Sequence, residues 1–275
     1  MLRYLALVVS CLPAFAAADG MELAITRMYD FDFPGSHQIL DRYIAAHPAE
    51  PLPYGFRASA YLFSELDRLG ILESEFLSDD EKIAEKKKKM DPDAETRRKF
   101  LQAVSDTESR ALSALKTDPN DKDALFSLCV AQGVSTDYMA FVEKRQIASL
   151  SLAKKSNTNA QKLLKLDPKF YDAYLTTGVS EYMLGSLPFF VRWFVRFDNV
   201  DGNKQKGIER LEMVSREGHF FRPFSKILLG IIALREKRPR DAQRLLAELS
   251  REFPGNPLFR KELAKVTVKL GTAGN

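Results

Sequence analysis

The side chains able to do chemistry are few and widely spaced. Three histidines, His37, His47 and His219, are all the chain has. His37 and His47 flank one apolar helical stretch, and His219 falls in an expected turn before Phe220-Phe221. None sits in a His-Glu-x-x-His zinc motif, and there is neither a Gly-x-Ser-x-Gly nucleophile elbow nor a glycine loop ending in Lys-Ser/Thr to cradle phosphate. The carboxylates Glu181, Glu209 and Glu212 could share acid-base work only if folding brought them together. Residues 198–202 resemble a calcium loop, but Phe197 holds the first ligand position and Ile208 the one that needs a bidentate Glu. This stretch therefore reads as a loop with a glycine turn. The sequence predicts no catalytic residue, no cofactor and no metal site.

Charge narrows the choice of partners. The 41 Lys plus Arg nearly balance the 37 Asp plus Glu, so no broad field favours nucleic acid. The 45% hydrophobic content is enough for a substantial core. At the N-terminus, Arg3, the apolar run Tyr4 to Phe15 and Ala16-Ala17-Ala18 read as a secretory signal covering residues 1–18. That run is well short of the ~20 residues a bilayer span needs, and Pro13 interrupts it. Export to a periplasm or the medium is expected. Val8-Val9-Ser10-Cys11 also resembles a lipobox, which would make the protein an outer-membrane lipoprotein. Cleavage after Ala18 removes Cys11 and leaves Cys129, in an apolar helical stretch with no partner base, to act as a small hydrophobe.

Two segments carry surface chemistry. Residues 186–197 are the most apolar stretch beyond the leader, and as a helix they place Arg192 and Arg196 on one side with Phe189, Phe190, Trp193 and Phe194 around them. They read as an inserted helix packed on the inner face of the fold with its arginines snorkelling to water, or as a contact for a partner or a membrane surface. Residues 79–99 swing from acidic to basic around Lys86 to Lys89, which reads as a solvated helix whose cations complement its dipole.

The elements that must position all of this are helices. Apolar residues recur three and four apart through most of the chain, and His47-Pro48, Asp118-Pro119, Asp167-Pro168 and Phe253-Pro254 each close one helix before the next. Six residues beyond these prolines come Tyr54, Leu125, Tyr174 and Arg260; ten beyond come Ala58, Cys129, Gly178 and Ala264. A small residue at a fixed offset predicts close approach between the two helices of a pair. The fullest copy, Leu229-Gly230, Ala233, Ala242, Leu246 and Pro254, resembles the tetratricopeptide pattern, departing from it at Lys226, where an aromatic is usual, and at Ala233, where a Tyr is usual. On that pattern Gly230 and Ala242 face each other, with Leu229, Leu246 and Leu249 in the seam.

The resulting map is an all-α superhelix of helix pairs over residues 20–50, 51–118, 119–167, 168–220 and 221–256, with a capping helix over 257–270. Insertions fall near 70–97 and 185–203. The stretch from Leu175 to Leu249, with Tyr182, Gly185, Leu187-Pro188, Gly202 and Gly207, is also similar to the tetratricopeptide-like family of the eukaryotic inclusion body clearance protein, although the export signal departs from it. That similarity implies a helical scaffold without chemistry of its own. Periplasmic helical-repeat subunits of solute transporters are a further resemblance that fits export. Together these imply a scaffold binding a protein or peptide through its concave face, with a membrane-surface or lipidated accessory protein as the alternative.

Overall fold

The computed structural model describes residues 14–73, 91–187 and 199–272, with side chains from residue 20 onward. Among them the secondary structure is all helical: α1 Ala14–Tyr29, α2 Phe33–Ala46, α3 Leu52–Arg68, α4 Ala94–Thr117, α5 Lys122–Asp137, α6 Gln146–Leu166, α7 Ala173–Ser186, α8 Lys204–Glu217, α9 Arg222–Arg235, α10 Pro239–Glu252 and α11 Pro257–Thr272. Each helix packs on its neighbours in sequence. Five antiparallel pairs and a last single helix make an α-α superhelix, with α1, α3, α5, α7 and α9 toward the inside. Residues Lys122–Val142 are long and apolar enough to cross a membrane by composition alone. Leu125, Phe126 and Val130 among them are buried in the interior.

The proline punctuation has a local cause. Helices α2, α4, α6 and α10 end at Ala46, Thr117, Leu166 and Glu252, one residue short of each X-Pro pair. The proline carbonyl is then exposed at the turn and needs a donor. Six residues on, Tyr54 donates its hydroxyl to Pro48 O (3.1 Å), Tyr174 to Pro168 O (3.2 Å), and the Arg260 guanidinium to Pro254 O (2.8 Å). Leu125 has no donor to offer, and there the Lys162 ammonium reaches Pro119 O from the next helix. The spacing read from the sequence is thus a side-chain clasp across each turn.

Small residues act where helices of a pair cross closely, and they do so unevenly. Ala58 is fully buried in a cluster with Phe100 and Ala103 of α4. The Cys129 thiol donates to Ser156 O of α6 at 3.6 Å. At the α7–α8 crossing, a Cβ on Gly178 would lie 3.1 Å from Gly207 O, and one on Gly207 would lie 2.6 Å from Tyr182 N. Only glycines let these backbones come so near. Ala264, on the last described helix, is exposed.

The expected contact between Gly230 and Ala242 is not made. Both are buried, yet a Cβ on Gly230 would meet no atom within 4 Å. Across the α9–α10 pair, Lys226 bridges to Glu252 (3.1 Å) and Glu248 (3.5 Å), and Arg222 to Glu252 (2.7 Å). Lys226, at the position where the repeat pattern has an aromatic, holds its partner helix by charge instead. Leu245 joins Leu229 in the seam, whereas Leu246 and Leu249 turn toward the core formed with α1 and α3.

The superhelix meets itself. Asp30, after α1, accepts from Gly255 N (3.0 Å), and Asn256 Nδ2 donates to Tyr29 O (2.7 Å). Glu73 pairs with Lys261 (2.9 Å) and Lys265 (3.2 Å) of α11. Met21, Ile25 and Met28 of α1 share one core with Leu249, Phe253 and Phe259. These α1 residues lie downstream of the expected cleavage after Ala18. The first and last pairs therefore close an interior that an open spiral would leave as a groove.

The two glycines make opposite predictions. Gly207→Ala forces backbone apart and is expected to cost about 1–3 kcal/mol. Gly230→Ala meets empty space on a helix and is expected to be neutral or to gain about 0.5–1 kcal/mol. Urea unfolding of the two variants checks both, and equal losses would contradict the geometry.

Candidate functional site

Phenylalanines fill the middle of the coil. Phe220 and Phe221, in the turn between α8 and α9, enter between Phe56 of α3 (ring centroids 5.2 and 6.0 Å) and Phe126 of α5 (6.1 and 5.7 Å). Phe224 meets Phe63 at 5.6 Å. A turn packed against an apolar interior needs acceptors for its backbone N–H groups. Asp172, just before α7, answers that need: its carboxylate accepts from His219 N (3.1 Å), Phe220 N (3.3 Å) and Phe221 N (2.8 Å). Burial pushes its pKa up, and the three backbone donors pull against that rise. Tyr29 adds a bond from its hydroxyl to Phe220 O at 3.4 Å.

Beside this hub the inner helices leave a hollow of about 320 Å³, at the small end of the roughly 300–1,000 Å³ of small-ligand pockets. Its walls are mostly apolar and include Leu66, Ile71, Ile227, Ile231 and Phe259. A second lobe of about 140 Å³ adjoins it beneath Cys129 and Ser180. Met28, Tyr29, Phe63, Asp137, Val179 and Phe224 line both lobes. Met183, 58% exposed, marks where the larger one opens.

Most polar groups in these walls are occupied. Tyr182 donates to Glu236 (3.1 Å), Asn256 bonds Tyr29 O and Leu258 N, Ser59 donates to Gly55 O, and Ser156 to Cys129 O. Asp137 differs. It is the one acid in either wall, and none of the described residues gives it a hydrogen bond or an ion pair. It ends α5 where the helix widens into a π turn, Tyr138–Val142, and it makes no capping bond there. The π turn sends Tyr138 to stack on Phe100 (4.4 Å, 15°) and Phe141 into the larger lobe. Such wide turns are enriched at functional positions. Burial alone raises the Asp137 carboxyl to about 7.

The other candidate residues do not converge. Glu181 is fully buried and accepts from Gly202 N (2.9 Å) and Asn203 N (3.1 Å), with Lys206 at 3.1 Å, so it shapes the loop into α8. Glu209 and Glu212 are exposed on α8. His37 stacks on Tyr61, His47 pairs with Glu50, and His219 pairs with Glu22, each in a different place. No group of three or more metal-binding side chains occurs among the described residues. Cys129 is buried and its thiol pKa is raised by that burial. Of the repeat positions, Ala58, Gly178, Leu229 and Ala242 are buried, and Pro254 is an exposed turn residue whose carbonyl takes the Arg260 bond. Phe189, Phe190, Arg192, Trp193, Phe194 and Arg196 lie outside the described residues, as do Lys86 to Lys89 and Cys11. Asp137 carried no sequence signal. It sits in an ordinary polar stretch, Ser135-Thr136-Asp137, and only packing encloses it.

Comparison with protein-family models, curated proteins and solved structures returns no match for this chain.

Two carboxylates give opposed predictions. Asp172→Ala leaves three part-buried N–H groups without their acceptor and is expected to cost about 1–3 kcal/mol in urea unfolding. Asp137 is held from 3.8 up to about 7, so its neutral form supports the fold fully below about pH 4. That support is lost as pH rises to about 7. Asp137→Asn is therefore expected to raise Tm by several degrees at pH 8, at about 2–4 °C per kcal/mol for a chain of this size, and to change it little at pH 4. An equal shift at both pH values would show that burial does not perturb this group.

Proposed function

We propose that this chain is an exported, non-catalytic, tetratricopeptide-like scaffold that holds a protein or peptide partner at its inner face. The observation that carries the reading is the apolar hollow walled by α1, α3, α7 and α9 and opening beside Met183. Partner recognition concentrates in a few apolar or aromatic anchors seated in pockets. A hollow of about 320 Å³ suits one or two such side chains from a peptide or helix laid across the opening. Closure of the superhelix on itself favours an inserted anchor over an extended strand running the length of a groove. Non-catalytic action is supported by the engagement of Glu181 in the structural frame and by the separation of the three histidines.

A photo-reactive amino acid placed at Met183, at the mouth, and at Leu112, 52% exposed on α4, tests this in cells that make the protein naturally. Discrete crosslinked species are expected from position 183 and not from position 112. Identical patterns, or none from either, would remove the inner face as the binding surface.

A further inference from the structure

Among the described residues four acids are buried, Glu65, Asp172, Glu181 and Glu262, and each has evident partners, Glu262 pairing with Lys265 at 3.0 Å. Glu65 takes a bidentate pair from Arg68 (2.7 and 2.9 Å) and a bond from Asp93 N (2.9 Å). Asp172 takes three backbone N–H groups, and Glu181 takes two together with Lys206. Asp137 is less enclosed, but it lines both lobes of the hollow, and none of the described residues gives it a donor or a cation. A carboxylate so placed destabilises the fold unless something meets it. What is missing is a positive charge with an apolar body behind it.

We propose that the hollow is a binding site for a small amphiphilic amine, its hydrocarbon lying among Phe63, Ile227 and Phe259 and its ammonium ion-paired with Asp137. Charge decides the sign of the ligand. Among the described residues Arg235 is the one cation in the walls, it lines only the larger lobe, and it already has a partner of its own. A fatty acid would bring a second negative group toward Asp137. A neutral alcohol would gain the apolar contact without the ion pair. An ammonium also restores to Asp137 the charge that burial suppresses, so binding releases a proton near neutrality.

The groups facing Asp137 keep that titration clean. Tyr29 on α1, Tyr182 on α7 and Cys129 on α5 have pKa values raised by burial, so they stay neutral between pH 5 and pH 8, and no histidine lines either lobe. Amine affinity should therefore rise with pH across the range in which Asp137 ionises. This inference does not require the partner-binding reading, because a small amine could occupy the hollow whether or not a protein covers its mouth.

Calorimetric titration of the purified chain with octylamine, octanol and octanoate at pH 8 tests it. Octylamine is expected to bind at least about tenfold more tightly than octanol, with octanoate weakest, and to weaken at pH 5.5. Asp137→Asn should bring octylamine down to the affinity of octanol and leave octanol unchanged. Val179→Trp, which fills the junction of the lobes, should weaken all three, with circular dichroism confirming that both variants fold. Octanol matching octylamine, an amine preference that survives Asp137→Asn, or no binding by any of the three would each overturn the proposal. Those outcomes leave crosslinking at Met183 untouched, so the two readings fail separately.

Discussion

A turn of backbone in the centre of a helical coil requires a buried acceptor, and Asp172 is that acceptor. Three consecutive N–H groups, from His219 to Phe221, converge on one carboxylate. With them satisfied, Phe220 and Phe221 can sit inside, touching Phe56 and Phe126 from helices far earlier in the chain. Without them the turn would seek water and the interior would lose the rings that join the first, second, third and fifth pairs. A hydrogen-bonded charge thus fixes where the largest apolar groups go.

The hollow follows from the same arrangement. Bulky rings packed at one level of the coil leave space beside them, and the aliphatic residues of α9 only partly fill it. Gly255, Asn256 and α11 seal the far side by bonding back to Asp30, Tyr29 and Glu73. Interiors are normally close-packed, so a space of this size is a departure that stability alone does not favour. The unpaired acid in its wall is a second departure at the same spot. Local conflicts of this kind cluster where a protein has work to do.

Crossings within pairs show how one architecture accepts different chemistry. At α7–α8 the backbones touch through Gly178 and Gly207. At α5–α6 a thiol and a hydroxyl exchange bonds with backbone carbonyls, Cys129 to Ser156 O and Ser156 to Cys129 O. At α9–α10 the contact is ionic, through Lys226 and Arg222. Each solution positions the inner helix of its pair, and each tolerates different substitutions.

Local physics left its record in the sequence. The periodicity of apolar residues set the helices, X-Pro pairs set their ends, and the residue six places on closes each turn with a donor wherever its side chain has one. These features act within a few turns of chain, so residue spacing reveals them. Gly230 misled because a small residue permits close approach without requiring it, and a Cβ there would meet no atom within 4 Å. The meeting of first and last pairs, the placing of Phe220-Phe221 by Asp172, and the setting of Asp137 in the apolar wall of the hollow all join residues tens to hundreds of positions apart. Burial and missing partners are properties of an environment, and no spacing rule encodes them; only the closed coil made Asp137 different from any other aspartate.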